Sequence, residues 1–206
     1  MDFKAATFLH RPAKPSGDGF ILTHGAGGNA NAPLLIALAN ALSDAGFTVF
    51  RYNLPFRQQR PFGPPRPASA EQDREGLKSE VAAMRKQVSG RVFLGGHSYG
   101  ARQSSMLCAE QPGLVEGLLL LSYPLHPPGK PDQLRVEHFP ALRVPTLFVH
   151  GTRDPFGSVE EMQKAIRLIP GPAHLEIVQG AGHGVPPATA ASMPKWSAAV
   201  FLRDHD

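Results

Sequence analysis

Short apolar runs alternate with longer stretches of helical periodicity along most of the chain. The runs are rich in Val, Leu, Ile and Phe, and Gly, Pro, Asn or His follows each closely, as is typical where a strand enters a loop. The predicted strands are Phe20–Thr23, Thr48–Tyr52, Val92–Leu94, Gly117–Leu121, Thr146–Val149 and Leu175–Val178, with Lys4–His10 as an additional edge strand. The predicted helices lie near Pro33–Ala45, Ala70–Val88, Ala101–Glu110, Val159–Leu168 and Ala188–Leu202. This alternation predicts an α/β fold: a mostly parallel sheet with helices on both faces, in three layers.

Length and composition predict one soluble domain over residues 1–206, because neither an internal repeat nor a long linker divides the chain. A net charge of +4 with scattered basic residues does not favour nucleic-acid binding. The longest apolar run, Leu118–Leu121, is far too short to span a membrane. The single cysteine, Cys108, excludes an internal disulfide framework and a cysteine-based metal site. We therefore expect a cytoplasmic protein.

The segment Arg91–Gly100 (RVFLGGHSYG) contains a G-x-S-x-G pentapeptide between a predicted strand and a predicted helix. In that setting Ser98 lies on a strained turn that holds its hydroxyl clear of the sheet. Gly96 and Gly100 flank it because a side chain there would clash where strand and helix pack closely. The context, more than the pentapeptide alone, predicts that Ser98 is a catalytic nucleophile.

A serine nucleophile needs a base, and the base needs an acid to hold its tautomer. His183 follows the last predicted strand in a glycine-rich loop, and Asp154 follows the strand before it. Each alone has an ordinary explanation: His183 as a loop histidine, Asp154 as a turn residue before Pro155. The order Ser98, Asp154, His183, each after its own strand, instead predicts a Ser-His-Asp triad.

The loop His24–Asn29, here called the glycine loop, follows the first central strand. A tetrahedral oxyanion requires backbone N–H donors, one from the residue after the nucleophile and one from this loop. The predicted donors are Tyr99 and Ala26, with Gly27 as the alternative. His24 is expected to orient the loop. The run lacks the pattern of a phosphate-binding loop.

Two proline-rich segments follow strands: the first is Leu54–Pro67 and the second is Tyr123–Pro131. Both are expected at the carboxyl edge of the sheet, where ligands bind in open α/β sheets. The short connection from Ser122 to Pro145 leaves no room for a lid domain. A shallow site walled by these segments is therefore expected, and such a site suits small acyl groups.

Further candidate residues are weaker. Gly27, His126 and Arg57 are candidate substrate contacts, although a solvated loop face explains a loop histidine or an arginine cluster better. His97 is expected to point into the packing of the sheet. The remaining histidines lack the spacing of metal ligands, so no metal site is predicted.

Several stretches together resemble the KANL3/Tex30-like group of α/β-hydrolases, within the wider dienelactone-hydrolase-like set. The stretches are LTHGAGGNANAPLL, FLGGHSYGAR, LLLSYPLHPPGKP, VHGTRDPFG and GAGHG, between about Phe20 and His183. The resemblance implies the α/β-hydrolase fold, a triad of Ser98, Asp154 and His183, and oxyanion donors Ala26 and Tyr99. Tyr99 departs from the Met that relatives often carry there and is expected to reshape the pocket. The fold usually has eight strands, so this chain is expected to be a minimal version.

The residues thus predict a serine hydrolase that cleaves ester-type bonds of a small acyl substrate and uses no cofactor. Its expected partner is a small molecule, with neither nucleic acid nor membrane involved and the oligomeric state open. Two alternatives stay open: a non-catalytic scaffold or interaction protein with this fold, and an acyltransferase or thioesterase built on the same constellation.

Overall fold

A computed structural model describes residues 6–201. Its centre is a sheet of seven strands: β1 Thr7–His10, β2 Gly19–Thr23, β3 Thr48–Tyr52, β4 Val92–His97, β5 Gly117–Leu121, β6 Thr146–Gly151 and β7 Ala173–Val178. The strand order is β1-β3-β2-β4-β5-β6-β7. Only β1 runs antiparallel to its neighbour, and all other pairs within the described chain are parallel. The predicted mostly parallel sheet, including its edge strand, is confirmed; Lys4 and Ala5 lie outside the described residues.

Six α-helices accompany the sheet in the described part of the chain: α1 Pro33–Asp44, α2 Pro55–Gln59, α3 Ala70–Arg85, α4 Tyr99–Glu110, α5 Val159–Ile166 and α6 Met193–Phe201. The short helix α2 was missed in a segment expected to be a loop, although Pro55 suits the first turn of a helix, where no intrahelical N–H is needed. The last predicted helix begins later than expected because Pro187–Ser192 forms a 3-10 helix first. Leu202 and His205 lie outside the described residues.

Alternate residues along each strand pack into different layers. Leu118 and Leu120 of β5 join the core beneath α3, α4 and α5, whereas Leu119 and Leu121 join the core beneath α1 and α6. All four side chains are fully buried, and each such burial contributes about 1.5–3 kcal/mol. Because the central strands are buried on both faces, their sequences are continuous apolar runs. The predicted arrangement of the sheet and helices in three layers is confirmed.

The parallel strands bring the loops that follow β2, β4, β6 and β7 to one edge of the sheet. The connection after β5 contains one 3-10 turn, Phe139–Ala141, as its regular structure. None of the helices between residues 6 and 201 has the length and apolar character needed to cross a bilayer.

Candidate active site

Ser98 occupies the turn between β4 and α4 with φ 52° and ψ −114°, a conformation that non-glycine residues rarely adopt. A Cβ on Gly96 would lie 2.4 Å from the carbonyl carbon of Gly100, and one on Gly100 would lie 2.6 Å from the carbonyl oxygen of His24. No side chain fits at either position, because the obstructing atoms belong to the backbone. The turn is therefore closely packed, and its strain presents the Ser98 hydroxyl at the sheet edge.

Ser98, His183 and Asp154 form a continuous chain of hydrogen bonds. The Ser98 Oγ lies 2.7 Å from His183 Nε2. His183 Nδ1 lies 2.9 Å from Asp154 Oδ2 and 3.0 Å from Oδ1. Because an ionised carboxylate only accepts hydrogen bonds, Nδ1 carries the proton and the Nε2 lone pair faces the serine hydroxyl. The imidazole is thus held in the tautomer in which it can accept the serine proton.

Asp154 has two roles at once. The carboxylate is fully buried, and its Oδ1 also accepts a hydrogen bond of 2.9 Å from the backbone N–H of Phe156. Asp154 is therefore the turn residue that its position before Pro155 suggested, and it contacts His183 at the same time. The turn fixes the carboxylate where the imidazole needs it.

Two aromatic neighbours hold His183 in place. His97 Nε2 donates a hydrogen bond of 3.0 Å to the backbone carbonyl of His183. The Phe156 ring stacks on the His183 imidazole at a centroid distance of 4.0 Å. The expectation that His97 points into the packing of the sheet is wrong, because its ring is half-buried and lines the cavity beside Ser98.

The glycine loop is anchored first by His24. His24 Nδ1 donates to the Gly25 carbonyl at 2.9 Å, and Nε2 accepts the N–H of Leu54 at 3.1 Å. Burial lowers the pKa of His24 to about 4, so the ring is neutral at pH 7 and both nitrogens keep these roles. The expectation that His24 orients this loop agrees with these contacts.

Arg57 of α2 provides the second anchor. Its Nη2 donates to the Ala26 carbonyl at 2.7 Å, and its Nε donates to the Gly28 carbonyl at 2.8 Å. Further hydrogen bonds reach the carbonyls of Arg60 at 3.2 Å and Gly63 at 3.0 Å. The side chain connects the glycine loop to the first proline-rich segment and does not line the cavity.

The side chain of Tyr99 points away from the cavity. Its hydroxyl donates to Asp73 Oδ2 at 2.7 Å, and its ring meets Phe56 edge-on. Asp73 is fully buried, and its Oδ1 accepts the N–H of Phe56 at 3.0 Å. Burial raises the pKa of both Tyr99 and Asp73. The expectation that Tyr99 reshapes the pocket is not supported by this orientation.

Ser98 opens onto a cavity of about 660 Å³. Its walls are the glycine loop, the first turn of α1 and the residues after His183, with apolar side chains from Leu34, Leu35, Phe156 and Val185. Among the residues that the structure describes, no Asp, Glu, Lys or Arg side chain lines it. The expected walls were wrong, because neither proline-rich segment contributes to them.

His126 also lies away from the cavity lining. It is buried, its Nδ1 donates to the Pro127 carbonyl at 2.8 Å, and its Nε2 lies 3.4 Å from Glu161 Oε2 at the start of α5. Gly27, in contrast, lines the cavity, with open space where a Cβ would stand. Among residues 6–201, no three His, Cys, Asp or Glu side chains are grouped so that they could hold a metal ion.

The family described as alpha/beta hydrolase domain matches residues 17–196. An α/β serine hydrolase homologue from Coxiella burnetii is 21% identical, with a TM-score of 0.73, over 92% of this chain and 88% of that chain. Est1E from Butyrivibrio proteoclasticus, with ferulic acid bound, is 15% identical, with a TM-score of 0.78, over 96% and 95%. A dienelactone hydrolase from Anabaena variabilis is 19% identical, with a TM-score of 0.71, over 95% and 91%. The expected fold is confirmed.

Proposed function

Because the chain belongs to the alpha/beta hydrolase domain family, we propose that it is a serine hydrolase that cleaves ester-type bonds through an acyl-enzyme. The observation that carries this proposal is the hydrogen-bond chain from Ser98 through His183 to Asp154. The strained backbone at Ser98 supports it, since a residue held in this conformation is typical of a functional site. We further propose, on the resemblance of its motifs, that the chain belongs to the KANL3/Tex30-like group within this family.

In the proposed reaction, His183 Nε2 accepts the proton of Ser98 as Oγ attacks the ester carbonyl carbon. The carbonyl π electrons move onto oxygen, and the backbone N–H groups of Ala26 and Tyr99 stabilise that negative charge. The C–O bond to the alcohol then breaks, and the alcohol leaves with the proton from His183. Water, deprotonated by His183, cleaves the acyl-enzyme by the same route, and Ser98 regains its proton.

Tyr99 N–H suits the role of a donor because the first N–H groups of a helix have no intrahelical acceptor, and Tyr99 begins α4. The N–H of Ala26 belongs to the same peptide group as the Gly25 carbonyl, which His24 holds. In a trans peptide the N–H and C=O point in opposite directions. Ala26 N–H therefore points away from His24.

The walls of the cavity favour an uncharged, apolar acyl group on a small-molecule ester. A volume of about 660 Å³ is in the range of small-molecule sites. An acyl group ending in a carboxylate would lose its water there without gaining a cationic partner. We expect the enzyme to prefer a p-nitrophenyl methyl succinate, which is neutral, over p-nitrophenyl hemisuccinate of nearly equal length. Equal kcat/KM values for the two esters would contradict the preference.

A fluorophosphonate probe tests the proposed chemistry. We expect one adduct by intact mass on the wild-type protein and on Ser79→Ala, none on Ser98→Ala, and much slower labelling of His183→Ala. Absence of an adduct on folded wild-type protein would overturn the proposal in favour of a non-catalytic scaffold. A labelled enzyme that turns over thioesters or transfers acyl groups faster than it hydrolyses oxygen esters would be a thioesterase or acyltransferase.

A further inference from the structure

Arg57 is a buried charge whose hydrogen-bond partners are all backbone carbonyls. The residue is 5% exposed, and no carboxylate pairs with it anywhere in the described chain. Four hydrogen bonds lead from its guanidinium to carbonyl oxygens. Burying an arginine is costly, and here the compensation comes from these hydrogen bonds and from the Phe56 ring, whose centroid lies 4.9 Å from the guanidinium carbon.

Two of these bonds bracket Gly27 in the glycine loop. The carbonyls of Ala26 and Gly28 both point at the guanidinium, at 2.7 and 2.8 Å. The peptide between Ala26 and Gly27 is therefore fixed, and its N–H points away from Arg57. His24 fixes the preceding peptide through the Gly25 carbonyl. Each candidate loop donor thus lies in a peptide whose carbonyl accepts a hydrogen bond from a buried side chain. His24 holds the peptide of the Ala26 N–H, and Arg57 holds the peptide of the Gly27 N–H.

The loop needs such anchors because of its composition. Gly25, Gly27 and Gly28 give it wide backbone freedom. Donors that stabilise a developing oxyanion act best when they are oriented before the reaction, since reorienting them during the reaction costs free energy. Gly25 also packs against the turn of the serine: a Cβ on it would lie 3.0 Å from His97 Nδ1 and 3.2 Å from Ser98 Cβ.

We propose that Arg57 is a positioning residue for the reaction: its guanidinium fixes the carbonyls on either side of Gly27, directly after the Ala26 N–H that stabilises the oxyanion, and it makes no contact with substrate. The inference rests on the proposed ester hydrolysis. It replaces the expectation that Arg57 contacts the substrate. The planar guanidinium reaches Ala26 and Gly28 with separate nitrogens, which the single ammonium of a lysine does not reproduce.

The test compares Arg57→Lys with Arg60→Lys, an exposed arginine of the same segment. We expect Arg57→Lys to lower kcat about 10- to 100-fold while KM stays within about twofold, since the lost interaction acts on the transition state. Its affinity for a trifluoromethyl ketone, which forms an oxyanion on Ser98, should fall in parallel with kcat/KM. Arg60→Lys should match the wild-type protein in kcat, in KM and in its affinity for the trifluoromethyl ketone.

The outcomes separate this inference from the proposed function. A wild-type protein that forms no fluorophosphonate adduct at Ser98 overturns both. A reactive wild-type protein with wild-type kcat in Arg57→Lys overturns the role of Arg57 alone, as does a rise in KM at unchanged kcat, which would indicate a substrate contact. If Arg57→Lys does not fold, Gly25→Ala displaces the same loop from the side of Ser98. A folded Gly25→Ala with unchanged kcat and unchanged affinity for the trifluoromethyl ketone would overturn the inference.

Discussion

The ring of Phe156 lies on the imidazole of His183, with centroids 4.0 Å apart and ring planes 29° from parallel. The backbone N–H of Phe156 also holds Asp154 Oδ1, at 2.9 Å. Phe156 therefore contacts both His183, through its ring, and Asp154, through its backbone N–H. In the proposed reaction the imidazole gains a positive charge while it lies against the face of this ring.

Phe156→Leu keeps the backbone contact and removes the aromatic face. We expect kcat/KM to fall about two- to fivefold, because a cation on an aromatic face gains about 0.5–1 kcal/mol. Ester-hydrolysis kinetics measure the change, and Phe62→Leu serves as control, since Phe62 is 77% exposed. A kcat/KM equal to that of the control would show that the stacking does not support the reaction.

The hydrogen bond from Tyr99 to Asp73 should couple strongly in a double-mutant cycle. Tyr99→Phe leaves a buried carboxylate oxygen without its donor, which typically costs about 1–3 kcal/mol of unfolding free energy. Urea unfolding of Tyr99→Phe, Asp73→Asn and the double variant measures the coupling. Strictly additive losses would mean that the two groups do not interact in solution.

Gly100→Ala should destabilise the fold by about 1–3 kcal/mol or more. The added Cβ would lie 2.6 Å from the His24 carbonyl oxygen and 2.7 Å from Thr23 Cγ2, where the end of β2 packs against α4. The matched variant is Gly184→Ala, because nothing lies within 4 Å of a Cβ there. We expect a lower urea midpoint for Gly100→Ala only, and similar midpoints for both variants would contradict the steric explanation.

Stability should fall as the pH is lowered from 6.5 towards 4. Burial lowers the pKa of both His24 and His138 from 6.5 to about 4, and the charge of Arg102 adds to the effect at His138. Between these values the unfolded chain binds more protons than the folded one, so the free energy of unfolding decreases with decreasing pH. Above pH 6.5 this contribution is fully present.

His138→Gln provides the check, with the more exposed His174→Gln as control. Urea midpoints measured from pH 7 to pH 4 should fall less steeply for His138→Gln than for the wild-type protein or the control. The same slope in all three proteins would exclude His138 as a source of the pH dependence.

The positions of Ser98, Asp154 and His183 could be predicted because the direction of the strands is set by local patterns. Each residue follows a separate apolar run, and parallel strands carry the loops after them to the same edge. The sequence order of the three residues then sufficed to place them near one another. Helix α4 begins at Tyr99, two residues before the predicted start at Ala101, because the turn at Ser98 leads directly into it.

The walls of the cavity could not be predicted in this way. The start of α1 at Pro33 was predictable from a local pattern. How its first turn and the residues after His183 pack around Ser98 was not, because that packing depends on the folded chain. The same limit applies to Arg57, which stands in a cluster of arginines that resembles a solvated surface. The first proline-rich segment carries it to the glycine loop only in the folded chain. A proline that suits a first helical turn was the one local signal for α2.

The three hydrogen-bonded residues of the candidate active site and the apolar walls of its cavity come from different parts of the molecule. Ser98, Asp154 and His183 stand on turns that follow strands, whereas Leu34, Leu35 and Val185 belong to the layer that α1 and α6 form on one face of the sheet. Under the proposed function, substrate preference can therefore change without a change in reactivity. A library confined to positions 34, 35 and 185 would then sample new substrate preferences while Ser98, His183 and Asp154 stay the same.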